Sequence, residues 1–257
     1  MLSVQNGSDG FMFSVSEKIL SILDVLRKNG ENSGLRLYAI VPYAYEYVRL
    51  ACAARGVPGL AKKLVKEIVF SGNLRATTSG LNVVLRSDLN SLIKTYLLYE
   101  VSRVRHSAGG KAKLESVLLH QLITDLCLSL GLDWVFRFYT EFLLKTGIIP
   151  GFNTGNFAFL VEKFREWNIG LNNVVIAAPF NKVGFQMVPS KEACEKALAV
   201  LPKPNVLAIS ILAAGYLKPE EAIEYIASLP NIKGVAIGIS KEEHATGTFK
   251  LCRMRLL

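Results

Sequence analysis

The chain has 257 residues, 51% of them hydrophobic and 20% charged, and carries a net charge of +9. Such a hydrophobic share excludes a disordered chain and supplies a large core. The positive charge suits an anionic small-molecule substrate; no RNA-binding signature or helix-turn-helix pattern accompanies it, so nucleic acid is not the expected partner.

The first ten residues, MLSVQNGSDG, lack the basic segment and apolar run of a secretory leader. The longest apolar stretch, 117–132, is interrupted by His120, Gln121 and Asp125 and is too polar to span a membrane. Cys52, Cys127, Cys194 and Cys252 are far apart and form no CxxC pair. Neither a metal site nor a disulfide framework is expected, and free thiols suit a cytoplasmic location.

Residues 10–15 (GFMFSV) predict a strand and 17–27 a helix, with Ile19, Leu20, Leu23 and Leu26 on one face. A second strand, 35–41, stops at Pro42. The pattern then turns helical. Segments 45–55, 60–69 and 88–105 read as helices, so 43–113 is expected to be an insertion after an early strand. A strand at 117–122 carries His120 near its end, and an amphipathic helix at 133–145 closes at Gly147.

From residue 148 onward the rhythm is regular. Apolar runs at 148–152, 174–180, 206–212 and 235–239 are each followed by a polar or glycine-bearing turn and a helix. Continuous apolar runs of this kind are parallel strands buried on both faces. The expected fold is α/β, a single-domain (β/α)8 TIM barrel over 1–257. Seven strands are clear where a closed barrel has eight. Either 68–70 supplies the eighth, or the first βα unit is missing; the second is the expectation.

In such a barrel, chemistry sits where strands hand over to loops. Those positions hold Ser14, His120, Asn153, Thr154, Asn181, Lys182, Gly215, Tyr216, Gly238, Ser240 and Lys241. His120 stands in an otherwise apolar strand, where packing gives no reason for an imidazole. It suits proton transfer or hydrogen-bond donation, or else is a core histidine held by a backbone carbonyl. Asn153, Thr154, Asn181, Ser14 and Tyr216 are polar or aromatic groups for a ligand, and asparagine equally suits turns. Lys182 suits a Schiff base or an anion clamp. Gly215, Gly238, Ser240 and Lys241 suit a phosphate site built from backbone N–H groups and a helix start, or ordinary capping.

The order of these features resembles the aldo-keto reductase barrel. Leu118-Leu119-His120 is similar to that family's fourth strand with its histidine. Pro179-Phe180-Asn181 is similar to the segment after the sixth strand. The stretches 211–222 and 238–244 resemble the seventh strand, the eighth strand and the nucleotide-phosphate loop. The resemblance covers roughly 115–251. It implies a reductase-like enzyme, NADP as cofactor along 215–217 and 240–243, and His120 as acid or polariser. It also implies that the chain starts just before the family's second strand. The family's tyrosine and lysine have no counterpart: Phe13-Ser14-Val15-Ser16-Glu17 and Ile40-Val41-Pro42 stand in their places, with Tyr43 and Tyr45 nearby. Two other readings stay open. One is a non-redox lyase or isomerase acting on a phosphorylated molecule through Lys182 and His120. The other is a non-catalytic module that binds through its basic helical insertion.

Overall fold

Seven parallel strands pair strictly in sequence order in a computed structural model, which describes residues 2–43, 89–239 and 241–256. They are β1 (Gly10–Ser14), β2 (Arg36–Val41), β3 (Lys113–Leu119), β4 (Ile149–Asn153), β5 (Val175–Pro179), β6 (Val206–Ile209) and β7 (Ile232–Val235). Among the described residues the helices are α1 (Leu2–Gln5), α2 (Glu17–Lys28), α3 (Leu89–Ala108), α4 (Gln121–Ser129), α5 (Asp133–Lys145), α6 (Phe157–Glu166), α7 (Lys191–Ala199), α8 (Pro219–Ala227) and α9 (Glu242–Leu256). The helices expected at 45–55 and 60–69, the strand at 68–70 and Ser240 lie outside the described residues.

Local chemistry fixes several boundaries. Ser16 caps α2 by accepting from Ile19 N at 3.4 Å, with Glu17 in the first turn and Arg27 and Lys28 in the last. Ser190 caps α7 through Ala193 N at 3.2 Å. Pro219 opens α8, followed by Glu220 and Glu221.

The sheet has two unlike faces. Its outer face packs under the helices through Phe136, Phe152, Phe157, Phe164 and Phe180, all fully buried. Ring centroids lie 5.3 Å apart for Phe136–Phe164 and 5.1 Å apart for both Phe152–Phe164 and Phe157–Phe180. Tyr139 joins them, and its hydroxyl donates to Val117 O at 2.9 Å, which satisfies the one polar atom it carries inward. Truncating Phe136, at the centre of this cluster, to alanine is expected to cost about 3–5 kcal/mol. The inner face holds a smaller cluster of Tyr38, Ile40, Leu118, Val175, Ala177 and Leu207, flanked by Met12, Ile149 and Ile209. Gly151 is obligatory there: a Cβ would meet Leu118 Cγ at 2.5 Å and Ser116 Oγ at 2.7 Å.

The sheet curls strongly around that inner cluster. Lys233 Nζ on β7 lies 3.9 Å from Glu115 Oε1 on β3. Four strand spacings in a flat sheet would separate them by about 19 Å. β1 and β7 are the two ends of the strand order, and no backbone hydrogen bond joins them among the described residues. The described residues form a curled seven-stranded parallel sheet, the number of strands read from the sequence. α1 packs against α9 beside the seam.

Three strand limits differ from expectation. β3 starts at Lys113 and ends at Leu119, because His120 leaves the ladder to cap α4. β6 ends at Ile209, because Ser210 takes a left-handed backbone with φ of 53°. β7 begins at Ile232 rather than 235: Gly234 pairs with Leu207, while Lys233 stands at an irregularity of the register, a strand start that their composition hides. No helix among the described residues is long and apolar enough to cross a membrane.

Candidate functional site

The C-terminal ends of β3 and β4 bring His120 and Asn153 together. Leu119 pairs with Phe152, so His120 and Asn153 stand one residue beyond the last pair of the ladder. Each shares strand parity with inner-face residues, Leu118 on β3 and Ile149 on β4.

His120 is half-buried and held at both main chain and ring. Its N–H donates to Val41 O at 2.8 Å. Its Nδ1 accepts from Leu122 N at 3.2 Å, capping α4. An accepting Nδ1 places the ring proton on Nε2. Burial pushes the imidazole below its ordinary range, favouring the neutral ring. The side chain therefore offers one hydrogen-bond donor, Nε2–H, with no protein acceptor among the described residues.

Asn153 offers the complement. Its Oδ1 is buried and has no hydrogen-bond partner among the described residues. A buried carbonyl without a donor costs roughly 1–3 kcal/mol, so such atoms mark places where a further group belongs.

Behind this pair lies a brace the sequence reading missed. Asp125 on α4 accepts from Thr154 Oγ1 at 2.5 Å and from Gly155 N at 3.1 Å. Thr154 Oγ1 in turn accepts from Asn156 N at 2.9 Å, and Thr154 itself is fully buried. At Gly155 a Cβ would meet Gln121 Nε2 at 2.7 Å, so this loop approaches the start of α4 closely. The available signal was Asp125 itself, a carboxylate inside the apolar stretch 117–132.

The β5 and β6 exits are organised by Asn181, which is fully buried. Its Nδ2 donates to Phe185 O at 2.8 Å and Ser210 O at 3.3 Å, while Oδ1 accepts from Phe185 N at 2.7 Å. The amide is fully engaged in holding the loop before α7. Lys182 is half-exposed, with Nζ 2.5 Å from Glu221 Oε1. Tyr216 is 79% exposed. The loop beneath it has φ of 47°, 58° and 89° at Ala213, Ala214 and Gly215. Gly215 N donates to Leu212 O at 2.9 Å, so this N–H serves the turn. Ser14 ends β1, half-buried and in register with Ile40. Gly238 is exposed, and a Cβ there would meet nothing within 4 Å. Lys241 precedes α9 and is exposed. Tyr43 is described and half-buried; Tyr45 lies outside the described residues.

Among the described residues no group of three or more His, Cys, Asp or Glu is arranged to hold a metal ion. Cys127, Cys194 and Cys252 are thiols.

No family model matches the chain, and no curated protein matches it by sequence. Solved structures match it by shape. One, described as a candidate aldo-keto reductase from Pseudomonas aeruginosa, is 13% identical with a TM-score of 0.50, over 98% of this chain and 94% of the other. A second, described in the same terms and from the same organism, is 12% identical with a TM-score of 0.51, over 98% and 93%. The fold is aldo-keto-reductase-like. At this identity the likeness concerns architecture, and the side chains that set chemistry in this aldo-keto-reductase-like fold are read from the chain itself.

Proposed function

We propose that the chain is an enzyme of the barrel type, acting at the C-terminal ends of its strands on a small anionic substrate, with His120 and Asn153 as the groups that touch the reacting ligand. Two observations support this reading: His120, with a donor Nε2–H, and Asn153, with a buried acceptor Oδ1, each follow the last pair of the neighbouring strands β3 and β4. A carbonyl with a neighbouring hydroxyl or amide N–H satisfies both at once. His120 polarises the carbonyl through its neutral N–H and stabilises developing negative charge on that oxygen. Asn153 fixes the orientation.

The same mouth is proposed to take NADP or another phosphorylated ligand, with Gly238, Ser240 and Lys241 at the phosphates and Ser14 and Tyr216 along the substrate side, while Thr154, Asn181 and Gly215, engaged by other groups of the protein, shape the mouth without touching the ligand. Two features fit such a group. Asn153 Oδ1 awaits an N–H or O–H donor, and Gly238 leaves open space beside an exposed backbone. A bound nicotinamide supplies hydride chemistry; the protein's own part is to bind, to orient and to present the His120 proton.

Thermal unfolding with NADPH, NADP and sugar phosphates tests it. A ligand at a hundred times its Kd stabilises the protein by about 2.7 kcal/mol, an upward shift of several degrees. No shift with any of them at millimolar concentration would remove the reading.

A further inference from the structure

A depression opens at the other end of the sheet, where the strands begin. It is lined by Ile149 at the start of β4, Asn172 and Asn173 before β5, Lys203 and Asn205 before β6, and Lys233 on β7. None of these residues belongs to the mouth.

The charges here do not balance. Arg36 pairs with Asp9. Glu115 Oε2 lies 2.7 Å from Lys113 Nζ, and its other oxygen is 3.9 Å from Lys233 Nζ. Lys203 has no acidic partner among the described residues. Four cations thus face two carboxylates. Burial pushes the half-buried Lys233 ammonium below its usual range; Glu115 opposes this, while Arg36, Lys203 and Lys113 push it further down. An arriving anion relieves that crowding.

A second observation is independent of charge. Asn205 is 3% exposed, and its Nδ2 donates to Leu171 O at 2.6 Å. Its Oδ1 is buried without a partner among the described residues. That bond fixes the amide, since turning it over would set two oxygens against each other. The free Oδ1 needs a donor, and an anion made only of bare oxygens has none.

We propose that this depression binds a phosphate-type anion that also carries a hydroxyl, its charged oxygens on Lys203 and Lys233 and its O–H on Asn205 Oδ1. Hydrogen phosphate supplies all three contacts in one group. A sugar phosphate supplies them from phosphate and hydroxyl together. Sulfate supplies the charge alone.

The experiment is a titration of inorganic phosphate into the 15N-labelled full chain at pH 7 and constant ionic strength. Amides of Asn172, Asn205 and Lys233 are expected to shift saturably, with sulfate at least about fivefold weaker. Lys203→Met, an exposed substitution, is expected to raise the half-saturation point about tenfold, the loss of one cation beside a divalent anion. Three results would each overturn the proposal: no saturable shift at these amides, sulfate equal to phosphate, or a Lys203→Met protein that binds like the parent. Shifts confined to Gly215 and Gly238 would likewise overturn it, since they assign the binding to the mouth.

Discussion

Thr154 donates its hydroxyl proton to Asp125 Oδ1 across 2.5 Å, binding the exit of β4 to the middle of α4. The same carboxylate takes Gly155 N on its other oxygen, so one side chain fixes two successive residues of the loop that carries Asn153 into the mouth. Charged hydrogen bonds of this kind contribute about 1.5–3 kcal/mol each. Asp125→Ala is therefore expected to lower the unfolding free energy by roughly 2–4 kcal/mol, measured in urea. In a double-mutant cycle with Thr154→Val, a coupling under about 0.5 kcal/mol would contradict the brace.

Asn153 separates stability from binding. Replacing it by leucine removes a buried oxygen without a partner and keeps the volume similar. Asn153→Leu is expected to unfold at the same temperature as the parent or a few degrees higher, while any ligand-induced shift at the mouth disappears. Loss of stability in the unliganded variant would mean that Oδ1 has a partner after all.

His120 titrates below its ordinary range because burial disfavours the charged ring. The unfolded chain then binds more protons than the folded one between the two pKa values, so stability rises with pH through that window. The contribution is complete above about pH 6.5 and declines as pH falls toward the folded pKa. Protonating Nδ1 also ends its acceptance from Leu122 N. The His120 ring proton followed by NMR should show a midpoint below 6.5, and His120→Asn should flatten the acid side of the stability profile. A midpoint above 6.5 would refute this.

Lys182 is held by Glu221 in an exposed pair. Exposed pairs contribute between about 0.2 and 1 kcal/mol, so Lys182→Ala should unfold within that margin of the parent. Borohydride treatment with an aldehyde or ketone sugar phosphate is expected to leave the mass of Lys182 unchanged. A reduced adduct on that lysine would establish imine chemistry instead.

The seam should exchange first. Val15 N donates to Ile40 O and Arg36 N to Asp9 O, which turns the odd-numbered residues of β1 toward β2 and Met12 toward the seam. Ala236 N donates to Ala208 O, which turns Val235 toward the seam. Amide exchange is expected to be at least about tenfold faster at Met12 and Val235 than at Ile176, whose N–H donates to Asn205 O at 3.0 Å. Equal protection would show that the seam is closed.

The sequence spoke most clearly where packing alone dictates composition. β5 is buried along its whole length, and its apolar run, read as 174–180, appears as Val175–Pro179. It was silent where a strand faces mixed surroundings. Lys233 and Gly234 look like loop residues, yet both lie in β7: Gly234 pairs with Leu207, and Lys233, at a shift of the register, sets its Nζ 3.9 Å from Glu115 Oε1 across the curl. It misled at α4, where Leu122 and Leu126, with Leu130 just beyond, are exposed and so weaken any amphipathic signal. Among site residues, His120 was visible as a polar interruption. Its role as a helix cap, which sets its tautomer, depends on a backbone turn that composition does not encode. The Asn205 acceptor was invisible, since an unpartnered atom is defined only by its neighbours in space.

The winding order has a consequence for biosynthesis. Every strand of the sheet pairs with the strand made just before it. A chain emerging from the ribosome therefore always presents the next strand to an edge that is already complete, and no unit waits for a distant partner. Among the described residues, the packing of α9 on α1 joins the first helix to the last. That contact needs a helix made after every strand of the sheet, so it becomes available only when the whole strand order can already be paired.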